Sequence, residues 1–162
     1  MAGRITKSDE QLRPDPRYND ILLSKFINCV MVDGKKSRAQ RVVYDALDII
    51  AQKAKRDNED GPKNSIDIFH KAIERVTPYV EVRSKRIGGA NYQVPMQVNK
   101  RRQRSLAFRW IIEACRKEKG RGMAERLADE LFQASKGEGK AMMQREQTHR
   151  MAEANKAFAH FA

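Results

Sequence analysis

The sequence predicts a mainly α-helical protein, a bundle of about six helices from which one two-stranded β-hairpin protrudes between the third and the fourth. Three observations carry that prediction. Apolar residues recur three and four apart in successive segments divided by Gly, Pro, Asn and Asp. Residues 80–87 and 91–98 alternate instead with a period of two on either side of Gly88-Gly89, as half-exposed strands do. The basic residues, finally, are concentrated: residues 75–121 hold thirteen Lys or Arg against three Glu, a net of +10, while the whole chain of 162 residues carries +12.

A chain of this length suits one domain that buries its core without disulfides or metals. Residues 19–162 are read as one helical domain, and residues 1–18 as an extended tail that orders only on a partner, because Pro14 and Pro16 forbid helix there. Cys29 and Cys115 both fall on apolar helical stripes and are expected to be reduced core residues, which points to a reducing compartment. No run approaches the ~20 apolar residues of a membrane span, and Asp9 and Glu10 stand where a targeting segment would be apolar or acid-poor. A soluble cytoplasmic protein is expected.

Taken in order, Asn19 or Asp20 caps a first helix with the stripe Leu22, Phe26, Cys29 and Val30, ending at Asp33-Gly34. Ser37 and Gln40 have the spacing of a capping box for a second helix burying Ala39, Val43, Ala46, Leu47, Ile50 and Ala54. Residues 57–62 form a loop by composition. Asn64 or Ser65 caps a third helix that buries Ile66, Phe69, Ala72, Ile73 and Val76 and stops at Thr77-Pro78.

The ribbon, at about residues 79–98, has two possible registers. A turn of Gly88 and Gly89 alone sets Val82 opposite Pro95, leaving Val80/Val82 and Val94/Met96/Val98 on opposite faces. A turn that also takes in Ala90 pairs Val82 with Met96 and Val80 with Val98, giving one apolar and one basic face. The second register is expected.

A fourth helix over residues 103–119 turns Ala107, Phe108, Ile111, Ile112, Ala114 and Cys115 to one side. Arg102, Arg109 and Arg116 fall within about 40 degrees of one another on the other side. Arg104 lies inside the apolar arc, so either the helix starts after it at Ser105 or Arg104 extends past the end of the core. A fifth helix carries Met123, Leu127, Leu131 and Ala134 up to Gly137, and a weakly patterned sixth docks Met143, Met151, Ala154 and Phe158.

Catalysis is not expected. His70, His149 and His160 lack metal-site context, no glycine loop of the phosphate-cradling kinds is present, and no cofactor or metal is implied. The concentrated charge reads as the footprint of a polyanion, since ordering many like charges on a thin ribbon is unfavourable unless phosphates neutralise them. Tyr92 either stacks on a base or packs within the protein. A histone-like basic β-arm DNA-bending protein is the alternative, although the tip Ile87-Gly88-Gly89-Ala90 offers no proline wedge.

Several motifs extend this reading. The stretch Val80-Glu81-Val82-Arg83-Ser84-Lys85-Arg86-Ile87-Gly88-Gly89-Ala90-Asn91-Tyr92-Gln93-Val94-Pro95 resembles the signature of the universal small-subunit ribosomal protein seven family. Leu12-Arg13-Pro14-Asp15-Pro16, Val32-Asp33-Gly34-Lys35-Lys36, Leu106-Ala107-Phe108-Arg109-Trp110 and the run from His149 to Phe158 match its bacterial form, in order and over nearly the whole chain.

The resemblance implies a structural constituent of the small ribosomal subunit, in the cytoplasm, with no small-molecule substrate and no membrane partner. It implies binding of the 3′ major domain of the small-subunit ribosomal RNA, nucleation of head assembly, and ribosomal proteins nine and eleven as neighbours. The ribbon and C-terminal helix would lie near the exit-site tRNA and the mRNA. Carried onto this chain, Lys35, Lys36, Arg38, Arg41, Arg83, Lys85, Arg86, Arg101, Arg102, Arg104, Arg109, Arg116 and Lys117 become candidates for ribosomal RNA contacts. Arg83, Lys85, Arg86, Tyr92, Gln93, Arg145 and Arg150 become candidates for proximity to tRNA or mRNA.

Overall fold

The computed structural model describes residues 11–56 and 64–161. Its helices are α1 (Ile21–Val30), α2 (Lys36–Arg56), α3 (Ser65–Val76), α4 (Lys100–Lys117), α5 (Met123–Lys136) and α6 (Lys140–Ala154), followed by a 3-10 helix, Lys156–Phe161. An antiparallel ribbon of β1 (Val80–Ile87) and β2 (Ala90–Gln97) stands between α3 and α4. The bundle closes around α5, which packs against α2, α3, α4 and α6. Phe26 is fully buried where α1, α3 and α4 meet, edge-on to Phe69 at 5.4 Å and to Phe108 at 5.2 Å between ring centroids.

Most of the expected stripes are the buried ones. On α2, Ala39, Val43, Ala46, Leu47 and Ile50 face the core, and α4 buries all six apolar residues assigned to it together with Leu106. The stripe on α1 is displaced: Leu23, Phe26, Ile27 and Val30 point inward, Leu22 is half-buried, and Cys29 is exposed. Those four positions keep the spacing of one helical face, which leaves Cys29 on the other side. Cys115 alone is a core thiol, and burial pushes its pKa up to about 12.

Helix starts differ from expectation for local reasons. At Asp33 and Gly34 the backbone turns through positive φ, the Lys35 N–H donates to the Val32 carbonyl at 3.0 Å, and α2 begins at Lys36. Ser37 therefore lies within the first turn and forms no capping box. α4 begins at Lys100 because the Asn99 side chain accepts from the Arg102 N–H at 2.9 Å. Arg104 is exposed on a helix that has already begun, beyond the end of the core.

On α6 the docked face is Ala141, Met142, Thr148 and Ala152, whereas Met143 and Met151 are exposed. The start of that helix is fixed by buried Glu130, which accepts the Ala141 N–H at 2.7 Å. A carboxylate suits this position, where unpaired N–H groups carry partial positive charge.

Of the segment read as a tail, residues 1–10 lie outside the described residues, as does the 57–62 loop. Residues 16–18 turn back, closed by the Asn19 N–H donating to the Asp15 carbonyl at 2.8 Å, and Asp15 is 2% exposed. Its carboxylate accepts the Arg17 N–H at 3.0 Å, the Tyr18 N–H at 3.1 Å and the Tyr44 hydroxyl at 2.6 Å, while Arg17 makes a bidentate pair with Asp48. Burial, reinforced by Asp15, pushes the Tyr44 hydroxyl up to about 12. Replacing Tyr44→Phe should cost about 1–2 kcal/mol, measured by denaturant unfolding, because a charged buried acceptor then loses a partner.

The ribbon uses the register that was not expected. Ile87 pairs with Ala90 across a turn of Gly88 and Gly89 alone, so Val82 faces Pro95 and Val80 faces Gln97. Both glycines have positive φ, the geometry of a two-residue hairpin turn that matches strand twist. Glu81, Arg83 and Lys85 thereby share a face with Met96, Val94 and Tyr92. This mixed face is the one turned toward α6 and the 3-10 helix: Val94 is fully buried and Glu81 is 7% exposed.

Candidate nucleic-acid interface

The charged side chains of the inner ribbon face find partners within the molecule. Glu81 pairs with the Arg83 Nε on one carboxylate oxygen and with the Arg102 Nε at 2.9 Å on the other, tying β1 to the first turn of α4. Burial alone would raise the Glu81 pKa, but hydrogen bonds from Arg102 and Arg83 outweigh it and hold the carboxyl below its ordinary value. Nearer the tip, the Lys85 Nζ donates to the Phe161 carbonyl at 2.7 Å. Tyr92 lies against Phe158 at 5.2 Å and Phe161 at 5.6 Å. Of the two readings of Tyr92, the structure shows the intramolecular one.

This network makes a pH-dependent prediction. Arg102→Gln should cost about 1–2 kcal/mol at neutral pH, less than for a fully buried pair because the Arg102 side chain keeps 38% exposure. The folded carboxyl has the lower pKa, so its stabilisation is present above the unfolded value and is lost as pH falls through the folded one. The gap between parent and Arg102→Gln should accordingly narrow below about pH 4.5, as read from unfolding midpoints.

The outward face carries Arg86 and Gln93, both exposed. From the ribbon base, α4 continues the surface for about 27 Å. Arg104 and Arg109 are exposed along it, as are Arg101 and Lys117. At its far end, Arg116 donates to the Val30 carbonyl at 3.2 Å and so caps α1 while remaining exposed.

Arg116 also joins Lys35 and Arg38 around an apolar groove of about 320 Å3 floored by Val30, Val32, Ala39, Val42 and Met123. Lys36 and Arg41 are exposed beside it, and Lys35 is 3.5 Å from Asp33. Helix α4 thus links the ribbon to the α1–α2 turn. Arg102 and Arg116, assigned from sequence only to an outer stripe, also hold neighbouring elements in place.

On α6, Arg150 is exposed, 4.0 Å from Glu146. Arg145 lies 5.9 Å from the centre of the Tyr79 ring. Tyr79, Lys71 and Arg75 were not singled out from the sequence, and His149 was weighed there only as a metal ligand and as part of a motif; the structure gathers the four at the α3–α6 corner. The available signal was the i, i+4 pair Lys71/Arg75 just ahead of an aromatic residue.

A helical body that braces a basic ribbon and continues it along an arginine-bearing helix defines a class of protein: a structural binder of polyanionic surfaces. Among the described residues no group of His, Cys, Asp or Glu could hold a metal ion, and no helix is long and apolar enough to cross a membrane.

Comparison with known proteins makes the class specific. A family model described as ribosomal protein S7p/S5e matches residues 2–156. The chain is 60% identical over 160 residues to the small ribosomal subunit protein uS7 of Rhodopirellula baltica, covering 99% of each chain. To the uS7 proteins of Thermosipho melanesiensis and Colwellia psychrerythraea it is 55% and 47% identical, over 91% and 99% of each chain. The chain belongs to the ribosomal protein S7p/S5e family. Its role is that of a structural, non-enzymatic protein of the small ribosomal subunit.

Proposed function

We propose that the protein binds the 3′ major domain of the small-subunit ribosomal RNA and nucleates assembly of the subunit head. In the assembled cytoplasmic particle its ribbon and α6 lie near the exit-site tRNA and the mRNA, with ribosomal proteins nine and eleven as neighbours. One observation carries the reading: exposed cations follow a path through successive elements, from Arg86 on the ribbon, along α4 at Arg101, Arg104, Arg109 and Lys117, to Lys36, Arg38 and Arg116 about the α1–α2 turn. Such a path suits phosphates on folded RNA, which is recognised largely by backbone and shape.

In this reading Lys35, Lys36, Arg38, Arg41, Arg86, Arg101, Arg104, Arg109, Arg116 and Lys117 meet ribosomal RNA phosphates. Arg83, Lys85 and Arg102 contribute chiefly by holding the ribbon at its angle. Gln93, Arg145 and Arg150 lie toward tRNA or mRNA, and Tyr92 supports that edge from within. Family membership displaces the DNA-bending alternative.

The test is competition at physiological salt between a head-domain ribosomal RNA fragment and duplex DNA. Preference for the RNA, with a log–log salt slope of roughly −6 to −9 for about eight to ten phosphates, is the expected result. Equal competition by the duplex would overturn the proposal.

A further inference from the structure

A second basic surface lies where α3 ends and β1 begins, on the side of the body formed by α6. Lys71, Glu74, Arg75, Tyr79, Gly137, Met142 and Arg145 line an open cleft of about 480 Å3, a size that accommodates a small organic ligand. Tyr79 is 67% exposed, an unusual position for a tyrosine next to a strand. Its ring is nevertheless held in place. The Tyr79 N–H reaches the His149 Nε2 at 3.4 Å, the His149 ring is 6.1 Å away at 36°, and the Arg145 guanidinium lies over one side.

Two features point to a missing partner. The Arg145 Nε is buried without a hydrogen-bond acceptor among the described residues, an arrangement native structures rarely leave uncompensated. The Arg75 guanidinium lies beside Gly137 and Lys71 stands one turn away on α3, so the cleft is lined by three cations, with Arg145, and one carboxylate, Glu74. Burial, and after it the charge of Arg145, hold the His149 pKa below its ordinary value, so that histidine adds little positive charge of its own. An aromatic plate beside several cations is the combination that grips a nucleotide: the base stacks and the phosphate is neutralised.

We propose that this cleft binds one unpaired RNA nucleotide, its base stacked on Tyr79 and its phosphate held by Arg75 and Arg145. The proposal rests on the reading of the protein as an RNA binder. It adds a site at the base of the ribbon, on the α3–α6 side, away from the exposed arginines of α4.

The probe is fluorescein-labelled hexauridylate, titrated onto the full chain beside inorganic polyphosphate of matched charge. Tyr79→Ala should weaken hexauridylate binding roughly tenfold and Tyr79→Phe should restore it, while polyphosphate binding stays unchanged. Arg75→Gln should flatten the salt slope for hexauridylate by about one. Because the Arg75 side chain makes no hydrogen bond or ion pair among the described residues, that variant tests the cleft even if Tyr79→Ala disturbs the fold.

Unchanged hexauridylate binding in Tyr79→Ala would overturn the proposal, and so would an equal loss for polyphosphate. In reconstituted small subunits, ultraviolet crosslinking at Tyr79 with and without mRNA and tRNA identifies the source of the nucleotide; a crosslink to protein alone would also overturn it. If the parent protein binds the head-domain fragment and only the cleft variants behave as the parent does, the cleft fails while the broader reading stands. If the parent binds neither RNA, both fail.

Discussion

Replacing Arg86, Arg104 and Arg109 together by Gln should weaken binding to head-domain ribosomal RNA by roughly 10- to 100-fold at physiological salt, and flatten the log–log slope by about 2 to 3. These three are the informative choice because they are exposed and their side chains make no hydrogen bond or ion pair among the described residues. Arg102 and Arg116 would confound the experiment, since one satisfies Glu81 and the other caps α1. The unfolding midpoint of the triple variant should equal or exceed that of the parent, because mutual repulsion among cations is relieved. Titration at several salt concentrations checks the first outcome and thermal unfolding the second. An unaltered slope would mean that RNA is gripped elsewhere on the surface.

Phe26→Ala should produce the largest loss of stability, about 3–5 kcal/mol. Its ring is fully buried and touches both Phe69 and Phe108, so truncation opens a cavity lined by three helices that the short α1 cannot close without losing its other contacts. A domain of this size has only about 5–15 kcal/mol in total, so an appreciable unfolded fraction should appear at growth temperature. Phe26→Leu, which keeps much of the volume, should cost clearly less, and denaturant midpoints of the two variants decide the matter.

Much of the helical body was legible because its elements obey one rule at a time. Along α2 and α4 the apolar period, the break residues and the buried faces agree, so the wheel predicts the core directly. The ribbon was misread because its buried face was assumed to be its apolar face. Glu81 defeats that assumption: it lies inside a mostly polar-looking strand because Arg83 and Arg102 meet it there, and Arg102 is remote in sequence. Tyr92 was ambiguous for a related reason, as its partners Phe158 and Phe161 lie beyond three intervening helices. On α6 the weak period pointed to Met143, Met151, Ala154 and Phe158, but the docked face is Ala141, Met142, Thr148 and Ala152, on a helix whose start is held by Glu130 from α5.

The pair of anchors on β1 has a mechanical consequence. Glu81 fastens the strand to α4 and Lys85 fastens it to the 3-10 helix, at points about 13 Å apart. A rod gripped at one point pivots, whereas a rod gripped at two keeps its line unless one grip moves. A displacement of the segment that follows α6 therefore reaches Gly88 and Gly89 as a swing of the tip, and a load on the tip is felt in return at Phe161.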